Sequence, residues 1–435
     1  MPRVTATACV VALSALGTAA ILAQRPDSVS TRHPAINYRN GPTTDAVADL
    51  NRRIAAGDVQ LAFSQPQGYL RSVLDALHVP VESQMLVFSE TSLQSEFITH
   101  ATPRALYFND RVAVGWSQGS GALEVTALDP QQGTVFYLLD QSPAQKAHFS
   151  RSQRCLECHE SPTSTLSVSG MLTMSMLPMS DDPNEYAVGW NVDHRTPIED
   201  RWGGWFVTGA SAPIRHLGNV PVYHVKQGGL REATAPRLTD VTDPVDVTPY
   251  LTPYSDVAAL LVFNHQTQMT NLLTRLHWLT RVEDYERQRG GTPATVGESA
   301  VVRQAAELVD YMLFIDEAPL LGKVQGSSGF AETFSALGPK DSKGRSLRDL
   351  ALEKRTFRYP CSYMIYSEAF DALPERARAA VYDRLLVVLS GQATDKAYLQ
   401  LSPADRQAIL EILKDTKEEI RRREVSSMQN MCENM

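Results

Sequence analysis

Hydrophobic residues follow two patterns along the chain, short extended runs in the first half and a helical spacing in the second. Two short helices are predicted first, over Asp45–Ala56, which Gly57 closes, and over Gly68–Leu77, because apolar residues recur there every three or four positions. Short β-branched or aromatic runs follow, separated by Gly, Asn and Asp, and predict an antiparallel meander. These runs are Met85–Phe88, Arg104–Phe108, Val112–Trp116, Ala122–Leu128 and Thr134–Leu139.

A second group of strands is predicted at Ala187–Asn191, Trp202–Thr208 and Val220–Val225. Beyond Pro249 the spacing becomes helical, with Asp256 near one predicted helix start and Ser402-Pro403 as the cap and first turn of another. The Gly- and Ser-rich stretch 322–346 is predicted to form a surface loop. The predicted helices are Ser255–Arg287, Ser299–Ile315, Ala377–Leu389 and Ala404–Arg423.

These patterns predict a mixed α+β protein with a β-meander-rich N-terminal half and a helical C-terminal half. The 435 residues, 43% of them hydrophobic, suffice for one large or two ordinary cores. The formal charge of −8 and the lack of a Lys/Arg-rich patch argue against nucleic-acid binding. The predicted regions are a signal peptide (1–23), an extended leader (24–44), a β-rich region (45–250) and a helical region (251–435).

The N-terminus is typical of a secretory signal peptide. Arg3 is the only charged residue before Arg25, and Val4–Ala23 is an apolar run with small residues near its end. Cleavage after Ala23 would give a periplasmic or secreted protein. The alternative is an uncleaved membrane anchor, since a run of this length could just span a bilayer. Its richness in Ala, Gly and Thr rather than Leu and Ile favours cleavage.

The sharpest chemical signal is Cys155-Leu156-Glu157-Cys158-His159, a C-x-x-C-H motif typical of c-type haem attachment. Two thiols at this spacing can form thioether bonds with the vinyl groups of one haem, and the histidine becomes an axial ligand of its iron. We therefore predict one covalent haem c, held by Cys155 and Cys158 with His159 as axial ligand. Bacteria attach such haems outside the cytoplasm, so the export segment supports this prediction.

A zinc site and a redox dithiol are the alternative uses of a C-x-x-C pair. A zinc site needs two more ligands at short spacing, and the sequence holds no second C-x-x-C and no closely spaced histidine pair. A dithiol pair lies between a strand and a helix in a small βαβ domain, whereas this pair precedes the Ser- and Thr-rich stretch 160–170. Of the remaining cysteines, Cys361 and Cys432 could pair in an oxidising compartment.

A second axial ligand, His or Met, is expected if the haem transfers electrons. The candidates are His194 and His216, close to a Gly-Gly pair and two tryptophans, and Met269, one helical turn from His265. For each of them, ordinary packing is the alternative. A group of methionines also follows the motif, although such residues often fill cores: Met171, Met174, Met176 and Met179. Three arginines could bind the haem propionates or could form ordinary ion pairs instead: Arg195, Arg201 and Arg215.

Several blocks of this sequence resemble a family of exported bacterial monohaem cytochrome c-like proteins of unassigned reaction. The resemblance extends from about Asp45 to Gly391 and implies haem c, export and redox work. Members of that family often carry an acidic residue and a second histidine around His265, where this chain has Asn264 and Thr270, which weakens any metal or acid–base centre there. The similar blocks are 104–110, 155–161, 193–209, 215–219, 255–275 and 359–374.

The function predicted from these observations is electron transfer by one covalently attached haem, with a redox partner protein or a small-molecule donor or acceptor as its partner. A haem enzyme of peroxidase or oxygenase type, with an open sixth iron position, is the main alternative. The chain is much longer than one haem requires, which favours the alternative somewhat. A haem-based binding or sensing protein is a third hypothesis. A membrane contact is predicted only if the signal peptide is retained.

Overall fold

An antiparallel sheet of six strands, adjacent in chain order, forms the centre of the first half. The computed structural model describes residues 29–177, 188–211, 215–221, 235–290 and 299–423. The predicted meander is confirmed, and a short sixth strand that the prediction lacked follows it. The strands are β1 (Met85–Val87), β2 (Arg104–Phe108), β3 (Val112–Trp116), β4 (Ala122–Asp129), β5 (Gly133–Asp140) and β6 (Phe149–Arg151).

The two faces of this sheet differ in burial. On β4, the side chains of Leu123, Val125 and Ala127 are buried, whereas those between them are only half-buried. We call the second face the Glu124 face; it carries Glu124 and Thr126, with their cross-strand partners Gly115 on β3 and Phe136 on β5. Alternation of this kind is expected when one sheet face forms the core and the other is partly open. The open face is therefore available for further contacts.

Both predicted N-terminal helices are confirmed, as α1 (Ala46–Ala56) and α2 (Leu70–Ala76). Asp45 caps α1 by accepting hydrogen bonds from the backbone of Val47 and Ala48, and Gly57 ends it with a φ of 87°. The other carboxylate oxygen of Asp45 accepts a hydrogen bond of 2.7 Å from the hydroxyl of Tyr137 on β5. This contact fastens α1 to the sheet.

The segment 29–44 is not an extended leader, as was predicted, but a series of turns packed on the core. Ile36 and Tyr38 are each 1% exposed. The Tyr38 hydroxyl donates to the carbonyl of Thr134 at 2.7 Å and lies 3.0 Å from Ser169 Oγ. The prediction failed because two isolated apolar residues in a polar segment form no periodic pattern.

We expect Tyr38→Phe to lower the free energy of unfolding by about 1 kcal/mol, because it removes a buried hydrogen bond and leaves the Thr134 carbonyl with fewer donors. Urea denaturation followed by far-UV circular dichroism would measure this loss. A variant as stable as the original chain would show that this hydroxyl does not help to hold segment 29–44.

The second group of strands is confirmed only in part. Strand β7 (Met174–Leu177) pairs antiparallel with β8 (Val188–Asn191), close to the predicted Ala187–Asn191. The predicted strand Trp202–Thr208 is wrong: a φ of 68° at Trp202 and of 79° at Gly204 turns the chain there. Strand pairing in this stretch is limited to isolated β-bridges at Trp205 and Thr208. The predicted strand Val220–Val225 lies largely outside the described residues.

The predicted helices of the second half are confirmed, although the predicted Ala404–Arg423 is interrupted at Lys417. Asp256 caps the long helix α4 (Val257–Gln288), and its carboxylate also accepts hydrogen bonds from the backbone of Ser327 and Ser328. Stretch 322–346 is not all loop, because it contains a short strand and a helix. The elements are β9 (Ala210–Ser211), α4 (Val257–Gln288), α5 (Ala300–Met312), β10 (Val324–Gln325), α6 (Phe330–Ala336), α7 (Glu368–Asp371), α8 (Glu375–Leu389) and α9 (Pro403–Thr416).

Helix α4 is buried on all sides along most of its length and joins the two halves. One hydrophobic cluster runs from Val29 to Ile420 and includes residues of the sheet and of the C-terminal helices. Sheet and helices of the described residues therefore share one mixed α+β core, and Leu177 and Val220 form a small separate cluster. Among these residues, no helix is both long and apolar enough to cross a membrane.

Candidate functional site

The C-x-x-C-H motif lies directly after the edge strand β6, in a single helical turn, α3 (Leu156–His159). The backbone N–H of Ser152 donates to the carbonyl of Phe136 on β5, which continues the pairing of β6 with β5 by one residue. Leu156 is 5% exposed and packs into the core. The buried leucine anchors the turn, so the cysteine and histidine side chains around it are presented at the edge of the sheet.

Both thiols of the motif are free. Cys158 is exposed, and Cys155 is half-buried, with its sulfur 3.5 Å from Ser152 Oγ. Burial raises the pKa of the Cys155 thiol, and Glu124 raises it further. A dithiol oxidoreductase depends on a cysteine whose pKa is lowered, so this environment is unlike that of a redox dithiol. The turn therefore carries two unpaired thiols, one exposed and one half-buried.

The His159 ring is held in one orientation. Its Nδ1 lies 2.9 Å from the carbonyl oxygen of Gly170, and the backbone N–H of Gly170 donates to the carbonyl of His159. Because a carbonyl only accepts, Nδ1 carries the proton and the lone pair resides on Nε2. The ring also packs on Phe136, with centroids 4.7 Å apart. This is the arrangement in which a histidine is ready to bind a metal through Nε2.

Burial also lowers the pKa of His159, although the Gly170 carbonyl opposes the shift. A lowered pKa keeps the imidazole neutral at neutral pH, and metals bind neutral imidazole. The ring is therefore in the state that iron ligation needs.

The Gly170 carbonyl is itself positioned by α4. Asn271 on that helix accepts from the backbone N–H of Met171 at 2.9 Å and donates to the Met171 carbonyl at 2.7 Å. The sequence analysis did not identify Asn271 or Gly170. The one sequence signal is that Thr267, Asn271 and Thr274 recur at positions i, i+4 and i+7, on one face of the predicted helix.

His194 and His265 meet in a buried pair between α4 and α5. Their Nδ1 atoms are 2.9 Å apart, and His265 Nε2 lies 2.7 Å from Ser362 Oγ. The ring of Tyr311 stacks beside both histidines. Burial lowers the pKa of His265 to about 3 and that of His194 well below its usual value. Both imidazoles are therefore neutral in the folded protein.

The other predicted axial ligands occupy different environments. His216 is half-buried, its Nδ1 accepts from the backbone of Gly218, and its ring meets the edge of Trp202. Met269 is fully buried in the core. Met171 and Met174 are half-buried, Met176 is buried, and Met179 lies outside the described residues. His159 makes its hydrogen bond to Gly170 and its ring contact with Phe136. Neither contact involves a candidate for the second axial ligand, so that ligand stays a prediction.

Two of the predicted propionate-binding arginines make contacts within the protein. Arg201 is 1% exposed and donates to the carbonyls of Thr196 and His194. Arg195 donates to the carbonyl of Ile315 and lies over the ring of Tyr311. Arg215 is exposed. These contacts orient the loop around the histidine pair.

The remaining predictions about cysteines and metals concern other parts of the chain. Cys361 is a fully buried free thiol, and Cys432 lies outside the described residues. Within the described ranges, no group of three or more His, Cys, Asp or Glu side chains is arranged to hold a metal ion. The signal peptide predicted at 1–23 also falls outside these ranges.

Comparison with known proteins adds no relative. No protein-family model matches this chain, and no curated protein or solved structure matches it. Its function must therefore be argued from the site.

Proposed function

We propose that this protein is an exported c-type haem protein that transfers single electrons. Cys155 and Cys158 would hold one haem through two thioether bonds, and His159 would be its axial ligand. The observation that carries the proposal is the hydrogen bond from His159 Nδ1 to the Gly170 carbonyl, which leaves Nε2 free beside two unpaired thiols. This donor set is the one a c-type haem requires.

The bound haem supplies a one-electron iron couple. The protein residues have separate roles around it. The Gly170 carbonyl holds the imidazole plane and makes Nε2 a better donor, Phe136 covers one face of the ring, and Leu156 fixes the helical turn that bears the motif. The partner would be a redox protein or a small-molecule donor or acceptor. The apolar N-terminal run supports a location in the periplasm or outside the cell.

The test begins with the protein purified from cells that have an intact haem-maturation apparatus. We expect a mass equal to the polypeptide plus one haem, and a low-spin spectrum in both oxidation states that cyanide does not change. A mass equal to the bare polypeptide would overturn the proposal. High-spin ferric haem that binds cyanide or reacts with peroxide would overturn electron transfer and favour a haem enzyme.

A further inference from the structure

An ion pair lies on the Glu124 face, close to the motif. Arg104 on β2 reaches across β3 and pairs with Glu124 on β4, and both side chains are less than one-fifth exposed. The guanidinium lies directly over Gly115, where a Cβ atom would collide with it. Glu124 is itself held by the Ser92 hydroxyl at 3.0 and 3.1 Å. The strands and these contacts hold the guanidinium in one position.

The ion pair and the residue that the His159 ring packs on share one face of the sheet. His159 packs on Phe136, whose cross-strand partner is Thr126, two residues from Glu124 on the same face. The strand register therefore places this ion pair on the sheet face that the His159 ring packs against.

Glu124 uses only some of the hydrogen-bond donors of the Arg104 guanidinium. Arg104 carries five N–H donors, Nη2 serves Glu124, and the buried Nε has no partner among the described residues. A guanidinium can bind two carboxylates at once, one through each side of its fork. A second carboxylate would complete the site.

The same face also has open space. A cleft of about 340 Å³ opens on this face next to β6. Its lining includes Ala122, Leu138 and Ser150 but neither residue of the ion pair nor any residue of the motif. Leu138 is the cross-strand partner of Glu124, and Ser150 on β6 is the partner of Leu138.

We propose that Arg104 binds a propionate of the haem, with Glu124 and Gly115 holding its guanidinium in place. This inference rests on the proposed haem attachment. It assigns the propionate contact to the sheet instead of to Arg195, Arg201 or Arg215. Arg104 acts through charge and hydrogen bonding, since a cation beside the haem favours the ferrous state, which carries one positive charge less than the ferric state.

The test is a spectroelectrochemical titration of the midpoint potential of the intact haem protein between pH 5 and 8. We expect Arg104→Gln to lower the potential by at least a tenfold change in the reduction equilibrium, 59 mV for one electron. The potential of this variant should also depend more steeply on pH, because an unpaired propionate takes up a proton more readily. Arg104→Lys should restore the potential only in part, because an ammonium lacks the fork.

Gly115→Ala tests position without changing any charge. The added methyl group displaces the guanidinium, so the potential should shift in the same direction as in Arg104→Gln. The matched control is Arg111→Gln, which removes an exposed arginine paired with Glu368 at the end of the same sheet and should leave the potential unchanged. If Arg104→Gln does not fold, the comparison of Gly115→Ala with Arg111→Gln still tests the proposal.

Two results would overturn the assignment of Arg104 alone: covalent haem with an unchanged potential in Gly115→Ala, or a shift in Arg111→Gln as large as in Arg104→Gln. Absence of covalent haem from the original protein would overturn the proposed function as well. The mass of the protein separates these cases before any potential is measured.

Discussion

Replacing Cys155 and Cys158 together by serine is expected to abolish covalent haem attachment completely. Serine has nearly the same size as cysteine but forms no thioether bond. The fold should survive, because Cys155 is only half-buried and Cys158 is exposed. Mass spectrometry should give the bare polypeptide. Acid–acetone extraction should remove any haem that remains bound through His159.

Cys361→Ala is the control for this experiment. Cys361 is also a free thiol, but it is fully buried and outside the motif, so its loss should leave the haem attached. If the double serine variant retained haem after acid–acetone extraction, thioether attachment at the motif would be wrong. Loss of haem from Cys361→Ala at unchanged stability would also contradict the assignment.

The elements that could be predicted from sequence are those whose signals are local. The meander was predicted because each strand is bounded by its own turn residues, and α4 because Asp256 marks its start and Gly290 its end. Trp202–Thr208 has the composition of a strand, but its backbone turns at Trp202 and packs against other elements. Tertiary contacts overrode local preference there.

In the candidate site, too, local sequence signals identify some residues, whereas others are brought in only by the fold. Cys155, Cys158 and His159 lie within five consecutive residues, so their chemistry can be predicted from their spacing. Gly170 and Asn271 act on His159 from 11 and more than 100 residues away, and no local pattern connects them. Arg104 and Glu124 are brought to the motif only by strand register.

The histidine pair is the clearest contact that sequence could not foresee. His194 and His265 are 71 residues apart, and they form a chain of hydrogen bonds that ends at Ser362. Only one proton can lie between the two Nδ1 atoms, so the tautomer of one ring dictates that of the other. His194 Nε2 is buried and has no partner among the described residues. Adding a proton would place an uncompensated charge in the core.

We therefore expect the protein to lose stability as the pH falls. His265 titrates at about 3 when folded and near 6.5 when unfolded, so below pH 6.5 the unfolded chain binds a proton that the folded chain excludes. Its contribution is fully present above pH 6.5 and is lost progressively towards pH 3. Between pH 7 and pH 5 this histidine alone should lower the free energy of unfolding by about 2 kcal/mol.

The dependence on His265 can be isolated with His265→Gln, whose amide is neutral at every pH. This variant should be less stable at pH 7, because it disturbs the contacts with His194 and Ser362, yet its stability should change less between pH 7 and pH 5. Urea denaturation at several pH values measures both effects. His148→Gln is the control, because His148 is exposed and its replacement should leave the pH dependence intact. Equal pH dependence in His265→Gln and the original chain would show that the buried pair does not cause the acid sensitivity.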